Sequence, residues 1–234
     1  MNVLGIVIAR GKSKEIPQKN LLKIGGKTLV ELAIESAANS KMLTRHLLST
    51  DDEKIINVAK KTGIDIPFIR PRHLAKDDSS VYDVMKHAIE WLEQNEGWST
   101  DIAVLLQSTT PFRKAKHIDS VINQLIKLNS DASIAVVKPD YPPHWMLTIN
   151  EKHKITRLIK NKKPFFRRQD TPSTLQPAGM VYAIKKDFLY KLSGPLPQGN
   201  TTGVIVNQED AINIDTYIQY QVALSLWKKN FSKK

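Results

Sequence analysis

Short apolar runs alternate with amphipathic stretches along most of this chain. Val3–Ile8, Ile102–Leu106 and Ser133–Val137 are nearly continuous apolar segments, the pattern of strands covered on both faces. His46–Ser49, Gly179–Ile184 and Val204–Val206 predict further short strands. Between them lie helical signals. Thr28 with Glu31 forms a capping-box pattern before a helix whose Leu29, Leu32, Ala33 and Ser36 share one face. STDDEKIINVAKKTG places acids in the first turn of a second helix, lysines in its last, and Gly63 as its stop. Ser80 to Glu96 has the clearest helical period, through Val81, Val84, Met85, Ala88, Ile89 and Leu92, and Gly97 closes it. Ile118, Val121, Ile122, Leu125 and Ile126 mark another helix, and Tyr217, Tyr220, Leu224 and Trp227 form the stripe of a last one.

Such β/α alternation predicts an α/β fold with a mainly parallel sheet covered by helices on both faces, and ligands beyond the carboxyl ends of its strands. The rhythm breaks at about 138–177, where KPDYPPHW and KNKKPFFRRQDTPS are too long for an ordinary connection. That stretch reads as a functional or interfacial insertion in a single domain spanning residues 1–234.

The chain has 234 residues, enough to bury a core unaided, and no cysteine, which excludes disulfides, thiolate metal sites and cysteine nucleophiles. The opening apolar run is too short to cross a bilayer and no small-residue cleavage pattern follows it, so a cytoplasmic protein without membrane contact is expected. Thirty-five Lys and Arg against 23 acidic residues give a net charge of +12, which points to a polyanionic partner without choosing one. IARGKSKEIPQKN narrows the choice. It leaves the carboxyl end of the first strand, so Arg10, Lys14 and Lys19 converge where an α/β sheet binds its ligand. With only Gly11 the loop matches no glycine-rich phosphate fingerprint, and side-chain charge has to hold the anion, as Arg and Lys can hold a triphosphate. Gln107, just after a buried strand, is placed to hydrogen-bond a sugar.

The same loop resembles the signature of the cytidylyltransferases that activate sialic acid and related nine-carbon keto sugar acids, with Ala9, Arg10, Ser13, Lys14, Ile16, Pro17, Lys19 and Asn20 matching. LSTDD at 48–52, FIRPRHLAKDDSS at 68–80, LLQSTTPFR at 105–113, RRQDTP at 167–172 and INIDT at 212–216 extend the resemblance over nearly the whole chain. It implies a three-layer, Rossmann-like nucleotide-diphospho-sugar transferase fold, with the insertion used for dimerisation. CTP and a keto sugar acid are the implied substrates, Mg²⁺ the implied cofactor, and a homodimer the implied assembly. Arg10, Lys19 and Asp215 inherit catalytic roles; Ser13, Lys14, Asn20, Arg70, Ser79 and Ser80 join Arg10 and Lys19 on the nucleotide. Gln107, Arg168 and Gln169 inherit the sugar, and Asp215 with Asn213 the metal.

Departures from the family pattern bear on those roles. Asn213 stands where an aspartate is usual, so one metal-binding carboxylate remains, Asp215, for which a helix cap is the competing role. Gln176 and Ala178 replace an Arg-x-Asn-Gly pattern that faces the sugar, which leaves legionaminic, pseudaminic and octulosonic acids open beside sialic acid. Ser80 has a capping alternative. A reading from another class also stays open: Phe165 and Phe166 among the cations of KNKKPFFRRQ, together with the KKNFSKK tail, suit a single-stranded nucleic-acid platform.

Overall fold

A computed structural model of the chain describes residues 1–160 and 165–231. β1 (Val3–Ile8) enters the core directly and is followed by a hairpin of β2 (Lys23–Ile24) and β3 (Lys27–Thr28). Then come α1 (Leu29–Ala38), β4 (Arg45–Ser49), α2 (Glu53–Lys60), α3 (Val81–Glu96), β5 (Ile102–Gln107), α4 (Ala115–Lys127) and β6 (Ala132–Val137). A second hairpin, β7 (Leu147–Ile149) with β8 (Ile155–Arg157), precedes β9 (Gln176–Lys185), α5 (Lys186–Leu189), β10 (Thr201–Ile205) and α6 (Tyr217–Phe231).

The helices begin where the caps predict. Thr28 and Glu31 complete their capping box, Asp52 accepts from the Lys54 and Ile55 amides, and Ser80 accepts from the Tyr82 amide. Gly97 adopts the left-handed conformation that ends α3. The six-stranded sheet runs β10-β6-β9-β5-β1-β4 and is parallel except at β9, which is antiparallel to β5 and β6. α1, α2 and α4 cover one face through Val30, Ile34, Ile55 and Ile122; α3 covers the other through Met85, Ile89 and Leu92. This is the three-layer α/β/α arrangement with a mainly parallel sheet.

A third cluster packs α6 against the β2–β3 hairpin and the loop after β1, joining Ile16, Ile24, Leu29, Ile214 and Ala223 with Tyr220, Leu224 and Trp227. Tyr217, expected on the same stripe, is exposed, because the first turn of α6 projects past that cluster. Gly25 and Gly26 make the two-residue hairpin turn, both at positive φ. A Cβ on Gly25 would lie 2.0 Å from the Trp227 ring, whereas one on Gly26 meets nothing within 4 Å. Gly25→Ala is expected to cost about 3 kcal/mol, combining left-handed strain with overpacking, and Gly26→Ala about 1 kcal/mol from strain alone. Urea unfolding of the two variants measures the difference.

Residues 138–160 and 165–175 lie outside the six-stranded sheet as an arm, and the insertion, expected to run to about 177, ends where β9 begins. Its hairpin is exposed along both strands. Among the described residues no helix is long and apolar enough to cross a membrane.

Candidate active site

β1, β4 and β5 end level with one another, Ile8 pairing with Ser49 on one side and Gln107 on the other. The loop after β1 crosses this edge, held at three points. The Gly11 amide donates to Asp51 Oδ1 at 2.9 Å. Asn20 Nδ2 donates to the Arg10 carbonyl at 2.8 Å, with the Ser108 hydroxyl 2.6 Å from Asn20 Oδ1. Ile16 is buried in the third cluster, which anchors the segment beside Pro17.

A cleft of about 430 Å³ then brings Arg10, Ser13, Lys14, Lys19, Gln107 and Asp215 together. Arg10 donates to the Lys76 carbonyl at 2.9 Å and pairs with Asp77 at 2.8 Å, and Lys14 pairs with the other Asp77 oxygen at 3.1 Å. Asp77 is held below the usual carboxylate range, by Lys14 first and Arg10 second. Lys19, only 15% exposed, lies 2.8 Å from Asp215 Oδ1, and Asn213 Nδ2 donates to Asp215 Oδ2 at 2.7 Å. Every cation of the cleft therefore has a carboxylate that an incoming polyanion can replace.

Gln107 borders two further cavities. One of about 690 Å³ adds Lys138, Gln176, Tyr182 and Asn213; another of about 620 Å³ adds Ser80, Tyr82 and Lys86. A ligand reaching from the cation-lined cleft into either must pass this amide.

Several expected contacts are placed elsewhere. Asn20 also lines the cation-lined cleft, but it is 5% exposed and its amide is engaged in holding the loop, so it positions Arg10. Arg70 is buried beneath β4, its guanidinium donating to the Ser49 hydroxyl at 3.0 Å and to the Ser49 carbonyl, and it does not line the cleft. Burial pulls it down to about 10, against the opposing field of Asp51. Ser79 donates to the His73 carbonyl at 2.8 Å and accepts from the Lys76 amide at 3.1 Å, which shapes the turn that offers the Lys76 carbonyl to Arg10. Ser80 caps α3, with its flank on the 620 Å³ cavity. Arg168 donates to the Pro139 carbonyl at 3.0 Å, and with Gln169 it lines another cavity of about 430 Å³, which shares Lys138 with the 690 Å³ cavity but is not lined by Gln107. Conversely, Asp77 and Ser108 went unassigned in the sequence although both lie in the matched segments.

The capping role of Asp215 falls to other residues. Gln219 Oε1 accepts from the Asp215 and Thr216 amides, both at 2.8 Å, and the Gln219 amide donates to Thr216 Oγ1 at 3.4 Å. Asp215's carboxylate is left to Lys19 and Asn213. Among the described residues no three acidic or histidine side chains converge as a metal cage. Asn213 Oδ1 is buried with no partner among them. One carboxylate and one unpaired amide oxygen suffice for a hard cation held chiefly by a ligand's phosphates, and are too few for a cage of protein alone.

A Rossmann-like α/β/α sandwich with a cation-lined cleft at its parallel strand ends defines a nucleotidyltransferase. More specifically, the cytidylyltransferase family model matches residues 4–201, and the chain belongs to that family. It is 30% identical to the pseudaminic acid cytidylyltransferase of Campylobacter jejuni over 98% of both chains. It is 28% identical to that organism's CMP-N,N'-diacetyllegionaminic acid synthase, over 99% of this chain and 98% of that one. The N-acylneuraminate cytidylyltransferase of Escherichia coli is 24% identical over 99% of this chain and 54% of its own length. Among solved structures, CMP:2-keto-3-deoxy-manno-octonic acid synthetase complexed with CTP superposes with a TM-score of 0.69 at 18% identity, covering 99% of this chain and all of that one. That likeness supports the fold.

Proposed function

We propose that this protein transfers the cytidylyl group of CTP to a nine-carbon keto sugar acid and releases pyrophosphate. The observation that carries this reading is the juncture at Gln107, where the cleft of Arg10, Lys14 and Lys19 meets a cavity of about 690 Å³, large enough for the acceptor. Arg10, Lys14 and Lys19 take the phosphates, exchanging Asp77 and Asp215 for phosphate oxygens. Ser13 lies at the same cleft, within reach of the nucleotide. Gln107 orients the acceptor so that its anomeric hydroxyl reaches the α-phosphorus in line with the departing pyrophosphate. Preorganised charge around the phosphates lowers the barrier, since the acceptor's own hydroxyl is the nucleophile and direct transfer needs no covalent intermediate on the protein. Mg²⁺, when bound at Asp215 and Asn213, neutralises phosphate charge.

The acceptor is of the pseudaminic or legionaminic type in this reading. Those relatives match end to end, and the large cavity offers the neutral amides of Gln176, Gln208 and Asn213 beside Ala211, Val222 and Leu226, suited to acylamido and deoxy substituents. Incubation with CTP, Mg²⁺ and a panel of pseudaminic, legionaminic, N-acetylneuraminic and octulosonic acids tests it by pyrophosphate assay. Release is expected with a diacylamido nine-carbon acid, and silence with every member overturns the assignment.

The arm supplies the proposed dimer contact. Leu147, Ile149 and Ile155 are exposed on one face of its hairpin, an apolar surface that a monomer rarely leaves uncovered. Arg168 and Gln169, which do not line the cleft, keep their sugar-binding role in this reading through that assembly. The nucleic-acid reading gains no support from the family to which the chain belongs: of its two aromatics, Phe165 stands edge-on to His144 at 5.3 Å and Phe166 is exposed. The remainder of that reading, residues 161–164 and 232–234, lies outside the described residues. A cysteine-free, CTP-using enzyme fits the cytoplasm.

A further inference from the structure

Arg113 ends the matched segment LLQSTTPFR and has no part in the reaction described above. It is 4% exposed, and burial pulls its guanidinium down to about 9 with no acidic neighbour opposing the shift. Nε donates to Ser36 Oγ on α1 at 3.0 Å. Nη1 donates to the Gln107 carbonyl at 2.5 Å, to Thr110 Oγ1 at 3.1 Å and to the Met180 carbonyl at 3.0 Å. Nη2 is buried without a partner among the described residues. A buried cation without a counter-ion is costly, and packing alone gives no reason to keep one where an apolar side chain would fill the space.

Its three acceptors around Nη1 share a location. Gln107 is the last residue of β5 and the amide at which the cleft and both larger cavities meet. Met180 follows Gly179 on β9, where a Cβ would stand 3.6 Å from Asn213 and 3.9 Å from Gln107 Oε1. The ladder between β5 and β9 runs from Ile102–Lys185 only to Leu106–Val181, so it stops short of Gln107 and Met180. Arg113 spans this unladdered end, binding the Met180 carbonyl and the Gln107 carbonyl, which also accepts from Thr110 Oγ1 at 3.1 Å.

We infer that Arg113 is a positioning residue for the acceptor subsite, holding Gln107 and the Gly179–Asn213 contact at fixed separation by clamping the open ends of β5 and β9. The planar fork is what the role requires. A lysine ammonium in its place is a point charge that cannot reach Ser36 and both carbonyls together. The inference rests on the proposed cytidylyl transfer for its kinetic consequence, and on the geometry alone for its structural one.

Arg113→Lys and Arg113→Met test it against wild type. In Arg113→Lys the KM for the keto sugar acid is expected to rise at least tenfold, with the KM for CTP within threefold, because the phosphate cations lie on a different loop. Adding Gln107→Ala to Arg113→Lys should cost little beyond Gln107→Ala alone, since both act through one amide. Hydrogen exchange needs no substrate, so it separates this inference from the assigned reaction: peptides spanning 105–109 and 178–182 should lose at least tenfold protection while α2 keeps its own. Arg113→Met keeps the volume without charge or fork and should reproduce the acceptor defect if it folds; if it does not, Arg113→Lys decides. Unchanged exchange at those peptides, additive effects in the double variant, or equal losses for CTP and acceptor would each overturn the positioning role. A wild type silent with every acceptor would reject the assigned reaction and leave the exchange result to judge the clamp.

Discussion

Lys19→Ala and Arg10→Ala are each expected to lower kcat/KM for CTP by about a hundredfold while the fold survives. Removing one preorganised donor from a charge-stabilised transition state costs on the order of 3 kcal/mol, which is that factor. Lys19 has the stronger claim, because it is largely shielded from water, where a charge acts at lower effective dielectric. Its loss also strands Asp215 with Asn213 as its remaining side-chain donor, and that carboxylate then repels the phosphates. Arg10 contributes through a fork that can take two phosphate oxygens once Asp77 releases it. Neither substitution removes what holds the loop, since Asn20 binds the Arg10 main-chain carbonyl and Ile16 carries the apolar anchor. Lys14, far more exposed, should lose less than tenfold. Initial rates across a CTP series, with thermal unfolding as control, decide the matter. Wild-type kinetics in both Lys19→Ala and Arg10→Ala would remove the phosphate assignment.

The contrast between Arg10 and Asn20 shows which parts of the site were legible in the sequence. Both match the signature loop and both line the cleft, yet Arg10 is held there by Asp77, a partner a ligand can replace, whereas Asn20 is 5% exposed with its amide spent on the Arg10 carbonyl and Ser108. A linear motif constrains a residue equally whether it touches a ligand or supports its neighbour. Arg70, Ser79 and Ser80 show the supporting side of this: their side chains complete a strand end, a turn and a helix cap, and Ser80 also lines the 620 Å³ cavity. Arg168 and Gln169 show a second limit, since order along the chain says nothing of where an arm outside the sheet comes to lie. The helices were readable because period and caps are local, as Thr28 with Glu31 and Ser80 through Leu92 illustrate. The direction of β9 was not, because an apolar strand buried on both faces reads the same whichever way it pairs. Asp215 lay between these cases. Its competing role as a cap was settled only when Thr216 proved to take it, its hydroxyl accepting from the Gln219 amide.

The pair of Asn213 and Asp215 yields the second large effect. Asp215→Asn is expected to reduce turnover to near background, because it removes the carboxylate that pairs with Lys19 and would hold the proposed Mg²⁺, and leaves two neutral amides facing each other. Asn213→Asp should act in the opposite sense on the metal. A second carboxylate beside Asp215, where Asn213 now donates at 2.7 Å, gives a hard cation two charged ligands and should lower the Mg²⁺ concentration for half-maximal rate several-fold. Without metal the same substitution exchanges an attractive contact for like-charge repulsion, which Lys19 relieves only in part. Asn213→Asp should therefore unfold at a lower temperature than wild type in EDTA and regain more stability on adding Mg²⁺, since a ligand bound only to the folded state stabilises it by mass action. The thermal shift reports metal binding independently of catalysis. If Asn213 merely spaces the loop, neither the Mg²⁺ midpoint nor the shift will move. If Asp215→Asn also keeps full turnover, the metal is held by the triphosphate alone, and Lys19 remains the only reason for a carboxylate at that position.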